Sequence, residues 1–285
     1  IKITENPVSI NKKQGFFHSM DNNSKLSDFP LDGLLPYTLR STPMASVQKN
    51  EKMWVVTAML CRYLESFTDG VIVMDGKKPL GVLGGRELLS KLLRNPTPDF
   101  FENYEAGQVM TEHINVISPK TTLDELLMMI MRQRIGIAII PYKDHGYASI
   151  SARSLLEVAA IAKSDMKVSD MPKKNIITIS PDDSIKEVIL TMLQYQTRKL
   201  VFDDFSTYIS DRGIIEKIAL GMNYLSNSPE FLNTKANLFN PKLLKKIDGD
   251  VKITTLAKIM MGMDVPYVLV NDHIVSPWDI LLLLK

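Results

Sequence analysis

The chain has 285 residues, of which 45% are hydrophobic and 23% charged. That ordinary globular composition suggests about two domains of ~150 residues and excludes disordered, collagen-like and coiled-coil chains. Lys and Arg number 34 against 32 Asp and Glu, a formal charge of +2, and this near balance disfavours nucleic acid as a partner, because polyanion binders carry a basic excess. One cysteine, Cys61, forms no internal disulfide and excludes a multi-cysteine zinc site. A reducing, cytoplasmic compartment is the expectation. No apolar run approaches the ~18 residues of a membrane span; Ile280 to Leu284 is five residues long.

Residues 1–36 differ from the rest. Asn22-Asn23-Ser24 and the stretch from Pro30 to Pro36 are polar or turn-rich. They read as an N-terminal arm with little structure of its own, packed on a later domain. From residue 37 the sequence repeats itself. Gly70–Met74, an Asp75-Gly76 turn and Leu80–Leu83 read as a hairpin leading into Gly84 and a helix. Asn115–Ile117 reads as a short strand, Ser118-Pro119 as a turn, and Leu123 to Arg134 as a helix. The apolar residues Leu123, Leu126, Leu127, Ile130 and Met131 recur there at helical spacing. A second hairpin, Gly136–Ile140 with Tyr147–Ile150, turns at Lys143-Asp144-His145-Gly146 and leads into a helix from Ser151. The pattern returns with Ile176–Ile179, Ser180-Pro181, a helix Ile185 to Gln196, and the hairpin Lys199–Phe202 with Thr207–Ile209 leading into a helix from Ser210. It ends with Pro266–Val270, an Asn271-Asp272 turn, His273–Val275, and a helix from Ser276.

The four helix starts, 84, 151, 210 and 276, lie 67, 59 and 66 residues apart. The fold class is therefore α/β of the α+β kind, built from four β-α-β-β-α units. Each is too small to bury much core alone. Pairing them gives two modules, 37–162 and 163–285.

At the hairpin ends the sequence resembles the CBS domain (the cystathionine-β-synthase domain), whose tandem pairs form Bateman modules. The family pattern is Gly-apolar-apolar-[Ser/Thr]-x-x-Asp between the hairpin and the second helix. The corresponding stretches are Gly81-Val82-Leu83-Gly84-Gly85-Arg86-Glu87, Ala148-Ser149-Ile150-Ser151-Ala152-Arg153-Ser154, Tyr208-Ile209-Ser210-Asp211-Arg212-Gly213 and Ile274-Val275-Ser276-Pro277-Trp278-Asp279. Four such units in one chain are similar to the γ subunit of AMP-activated protein kinase and to stand-alone archaeal CBS proteins. The resemblance implies a flat disc of two Bateman modules in one chain or a homodimer. It further implies a regulatory, non-catalytic protein that binds AMP, ADP, ATP or S-adenosylmethionine in clefts between units and acts on a protein partner. A ligand-free scaffold that has kept only the fold and an interface is the alternative.

The same resemblance implies the site residues. The carboxylate closing the motif accepts from ribose hydroxyls, and the motif hydroxyl and following helix start face phosphate. Among the four units the last keeps both ends, Ser276 and Asp279, although Ser-Pro-Trp-Asp is also a good helix cap. The first offers Gly84 and Glu87, without the hydroxyl. The second and third end in Ser154 and Gly213, with no carboxylate. Basic residues at the second strand of a unit reach phosphate, and Arg198 and Lys199 match that place; a solvated strand edge is the competing reading. Lys252 and Ile253 are expected at the strand start of the fourth unit, beside the adenine. Arg86, Arg153 and Arg212 are expected in surface or inter-unit ion pairs. His18, His113, His145 and His273 show no metal-ligand spacing, and Cys61 has no neighbouring His to activate it.

Overall fold

The computed structural model describes residues 26–35, 44–63, 70–133, 136–142, 146–162, 164–221 and 228–283. Within them the sequence folds into four small sheets, one per unit. A 3-10 turn at Leu26–Asp28 and helix α1 (Leu31–Leu34) precede the first unit. That unit comprises β1 (Ser46–Gln48), α2 (Met53–Tyr63), β2 (Val71–Asp75), β3 (Lys78–Leu83) and α3 (Gly85–Leu92), followed by α4 (Pro98–Asn103) and α5 (Ala106–Val109). The second comprises β4 (Asn115–Val116), α6 (Leu123–Gln133), β5 (Ile137–Tyr142), β6 (Gly146–Ser151) and α7 (Leu156–Ile161). After a 3-10 turn at Val168–Asp170, the third holds β7 (Thr178–Ile179), α8 (Ile185–Gln194), β8 (Lys199–Phe202), β9 (Thr207–Ser210) and α9 (Asp211–Leu220). Then come α10 (Ser228–Asn233), a 3-10 turn at Ala236–Leu238 and β10 (Lys242–Leu243). The fourth holds β11 (Lys245–Ile247), α11 (Ile253–Met261), β12 (Val268–Val270), β13 (His273–Val275) and α12 (Pro277–Leu281).

Each sheet carries one rule. The short first strand runs parallel to the first hairpin strand, as β1 does to β2 and β7 to β8, and the hairpin itself is antiparallel. The parallel step forces a helical crossover. The hairpin turns close through a left-handed residue, Gly76 at φ 59°, Phe205 at 55° and Asn271 at 51°. The third sheet differs from the expectation: β10 adds an antiparallel fourth strand beside β9. Also, the second helix of unit two starts at Leu156, not at Ser151, because residues 152–155 form a turn. Residues 143–145 of the predicted second hairpin turn, and Arg134, lie outside the described residues, as do His18 and His145.

The crossover helices bury the face their spacing defines. Leu123, Leu126, Leu127 and Ile130 are buried in α6; Ile185, Val188, Ile189 and Met192 in α8; Ile253, Leu256, Ala257 and Met260 in α11. Met131, expected on the same face, is 43% exposed. No unit closes its core alone. The sheets of units one and two meet through Ile72, Met74, Val82, Ile137 and Ile139, and those of units three and four through Val201, Tyr208, Leu244 and Leu269. The helices then pack the other way: unit one against unit three, through residues such as Leu88 and Ile214, and α7 of unit two against α11 and α12 of unit four.

Each crossover helix also starts against a companion segment. The backbone N–H of Met53 donates to the carbonyl of Tyr104 (3.0 Å), Ile185 to Thr234 (2.8 Å), Leu123 to Phe29 (3.1 Å) and Ile253 to Met166 (3.0 Å). One-residue bridges run beside these bonds, Lys52 to Glu105, Ser184 to Lys235, Pro30 to Thr122 and Lys167 to Lys252. These bonds satisfy donors that a helix start leaves open. Units one and three take the companion from the chain that follows them. Units two and four take it from the segment before their module's other unit. Residues 26–35 of the arm are therefore docked on unit two, where Leu31, Leu34 and Leu35 join the core of Leu123, Leu126 and Ile150. Leu31→Ala is expected to lower unfolding stability by about 2–4 kcal/mol, the usual cost of truncating a fully buried Leu, measured by denaturant titration.

Candidate functional site

A cavity of about 420 Å³ opens where units three and four meet. Its walls are the segment 174–177 before β7, the turn 195–199 into β8, Asp211-Arg212 at the start of α9, residues 264–267 before β12, and Ser276–Asp279 at the start of α12. Unit two contributes Ala152 and Arg153. The structure thus brings together Ser276, Asp279, Arg198 and Lys199. It does not bring Gly84 and Glu87 there: they line an adjoining cavity of about 910 Å³ between the modules, with Arg86, Lys91 and His113. Lys174, Gln196, Arg198 and Trp278 border both cavities.

Lys252 and Ile253 are a correction. Lys252 is the residue before α11, not a strand residue, and its ammonium pairs with Asp165 at 2.6 Å. Ile253 is buried in the helical core between units two and four. Neither borders the cavity among the described residues.

At Asp279 the cap and the candidate ligand contact share one carboxylate. Oδ2 accepts from the backbone N–H of Ser276 at 2.8 Å and from its hydroxyl at 2.7 Å. Oδ1 pairs with the Lys174 ammonium. The carboxylate is 12% exposed and Lys174 57%. The same closure recurs at other units. Glu87 Oε2 accepts from the N–H of Gly84 at 3.0 Å, and Oε1 from the Thr111 hydroxyl at 3.0 Å. Ser154 Oγ accepts from the N–H of Ser151 at 2.8 Å. In unit three the bond is reversed, with Ser210 Oγ accepting from Gly213 N–H at 3.1 Å.

Arg198 is held by a group the motif comparison passes over. Its Nε donates to Asp211 Oδ2 at 2.7 Å, and Asp211 is 4% exposed. Asp211 also accepts from the N–H of Arg212 at 2.8 Å, and it opens α9, where the helix dipole favours an anion. It packs onto unit one so closely that a Cβ added to Gly85 would lie 2.3 Å from Oδ2. Lys199 lays its ammonium 5.1 Å from the centre of the Tyr267 ring, which stacks tilted on Tyr208 at 5.3 Å. Burial, then the neighbouring Asp279 carboxylate, push the Tyr267 phenol up, and burial followed by Asp264 pushes Tyr208 up to about 12. Both phenols stay neutral across the physiological range.

The Arg153 guanidinium donates to the backbone carbonyls of Met263 and Asp264, both at 2.5 Å, so unit two holds the segment that delivers Pro266 and Tyr267 to the cavity. Cys61 is half-buried, and burial, reinforced by Glu216, pushes its thiol up to about 11. That protonation leaves little thiolate for nucleophilic chemistry. Among the described residues no group of three or more His, Cys, Asp or Glu could hold a metal ion, and no helix is long and apolar enough to cross a membrane.

With this geometry in view, the comparisons define a class. A CBS domain family model matches residues 168–218, the third unit. Over 88% of this chain and 99% of its own length, a protein from Methanocaldococcus jannaschii described as a proposed archaeal homolog of γ-AMPK has the same fold, at TM-score 0.75 and 14% identity. An uncharacterised conserved protein from Pyrococcus horikoshii matches over the same shares at TM-score 0.51 and 9% identity. No curated protein matches the sequence. The third unit is therefore a CBS domain, and the chain as a whole has the fold of a protein built from several such units in tandem.

Asp211 and Gly85 should prove energetically coupled. Asp211→Ala leaves the partly buried Arg198 without its acid and is expected to cost about 2–3 kcal/mol. Gly85→Ala alone is expected to cost about 1–3 kcal/mol through overpacking. In the double variant the second cost should largely vanish, a coupling that a denaturation cycle reads directly.

Proposed function

We propose that the cavity between units three and four binds an adenosine-containing ligand, an adenine nucleotide (AMP, ADP or ATP) rather than S-adenosylmethionine, and that the chain is a regulatory sensor rather than an enzyme. CBS domains commonly act as regulatory modules that take such ligands. The observation that carries the reading is the facing of Ser276 and Asp279 from one unit with Arg198 and Lys199 from the other across a single cavity of about 420 Å³. That volume lies within the ~300–1,000 Å³ of small-molecule sites. Five cationic side chains, Arg153, Lys174, Arg198, Lys199 and Arg212, border it against the carboxylates Asp211, Asp264 and Asp279. The imbalance favours a phosphate and opposes a sulfonium. A regulated protein partner, or a second copy of the chain, would read the ligand only through a difference in affinity between two packings.

A specific observation favours the rival, a ligand-free scaffold: both Asp279 oxygens and the Arg198 Nε already have partners within the chain. Calorimetric and thermal-shift titration of the full chain with AMP, ADP, ATP and S-adenosylmethionine separates the two. The nucleotide reading expects saturable heat and a rise in Tm, equivalent to about 2.7 kcal/mol at a hundred times Kd. Asp279→Asn keeps an oxygen for the Ser276 N–H but loses the charge, and should weaken the nucleotide about tenfold with little change in Tm. Absence of heat and of stabilisation at millimolar nucleotide would leave the scaffold as the answer.

A further inference from the structure

Lys174 lies in the irregular stretch from Met171 to Ile177 that leads into β7, and it borders both cavities. Its ammonium pairs with Asp279 Oδ1, 105 residues away, while Oδ2 of the same carboxylate is occupied by the N–H and hydroxyl of Ser276. Oδ2 already accepts two hydrogen bonds and Oδ1 one, so a ligand hydroxyl that donates to Asp279 is directed to Oδ1 and competes there with the Lys174 ammonium. An ammonium drawn off Oδ1 loses its ion pair, and the other carboxylates bordering the cavity are Asp264 and Asp211. Asp211, buried at the same cavity, is engaged by Arg198 and by the N–H of Arg212. A ligand that brings its own phosphate supplies the missing partner, because Lys174 borders the cavity and its side chain is long, flexible and 57% exposed. A ligand with the sugar hydroxyls but no phosphate competes for Oδ1 without offering the ammonium a new anion.

We propose that Lys174 is a specificity-determining residue that makes sugar recognition by Asp279 conditional on a ligand phosphate: it covers the carboxylate when the cavity is empty and turns to the phosphate when a nucleotide enters. The proposal rests on the nucleotide reading of this cavity. It predicts that the site discriminates a nucleoside monophosphate from its nucleoside by more than the contacts of Arg198 and Lys199 provide. Removing the ammonium acts oppositely on the two ligands, since it frees Asp279 for both and deprives only the phosphate.

The test is a calorimetric titration of the full chain and of Lys174→Met and Lys174→Arg variants with AMP and with adenosine, each protein first checked for an unchanged Tm. The wild type should bind AMP well above adenosine. Lys174→Met should weaken AMP roughly tenfold, the loss of one charge-assisted contact, and should leave adenosine unchanged or tighter. Lys174→Arg should keep the wild-type preference. AMP binding whose ratio to adenosine is the same in Lys174→Met as in the wild type would overturn the role of Lys174 while leaving the site intact. Failure of the wild type to bind either compound would overturn the nucleotide reading itself, and the role of Lys174 with it.

Discussion

The structure depends on one constraint: no unit can complete its own first helix or its own core. The first N–H of each crossover helix is taken by a carbonyl from a companion segment, and one helical face has to be covered from the other module. Units two and four receive their companion from chain that precedes units one and three. Each module is therefore interlocked, and the arm at residues 26–35 belongs structurally to the unit farthest from it in its module. Sheet contacts make the modules and helix contacts join them, so every unit is bound on two sides. Clefts are what remain where those two directions of packing cross.

The chemistry of the motif follows from the same economy of backbone donors. Its fourth residue closes an N–H at the first in units one, two and four, whatever side chain is there: Glu87, Ser154 or Asp279. A serine has a single oxygen to give, and Ser154 gives it. A carboxylate has two, so an acid can hold the backbone and still face a ligand. In unit one that second oxygen is spent inside the chain, on the Thr111 hydroxyl. In unit four it is covered by an exposed side chain, Lys174 of the stretch leading into β7. Capping and binding are compatible uses of Asp279, and the identity of the group on Oδ1 is what distinguishes it from Glu87.

The fold was legible in the sequence because its elements follow strong periodicities. The hairpins ending at Leu83, Ser151, Ser210 and Val275 and the helices α6 and α8 lie where alternation and three-four spacing put them. Segments without periodicity were not legible. The strand β10 is a two-residue edge, and the companion bridges are single pairs that no local pattern encodes. Val251-Lys252-Ile253-Thr254-Thr255 is rich in β-branched residues and suggests a strand. The spacing of Ile253, Leu256, Ala257 and Met260 outweighs that propensity, because it places four apolar residues on one buried helical face. At the site, motif positions found Ser276, Asp279, Arg198 and Lys199, which the fold brings to one cavity. They could not find Lys174 or Asp211. Lys174 reaches its acid across 105 residues. Asp211 is next to a motif serine, yet its meaning comes from burial against Gly85 in another unit.

Those long-range contacts also decide how the cavity is supported. One wall, the segment running into Pro266 and Tyr267, hangs from Arg153 of unit two through two backbone carbonyls. Another, Arg198, is fixed by Asp211, which is wedged onto the start of α3 in unit one. Both supports rest on the first module, although the motif residues Ser276 and Asp279 and the basic pair Arg198-Lys199 belong to the second. A charge entering the cavity acts on Arg198, and any loosening of the Arg198–Asp211 pair is transmitted to Gly85 by direct contact, with no intervening mobile loop. A ligand that shifted the packing of the first module on the second would, by linkage, bind more tightly or more weakly by the same factor when that packing changes. Such a coupling would need no separate transmission element, because the walls of the cavity include contacts between the modules.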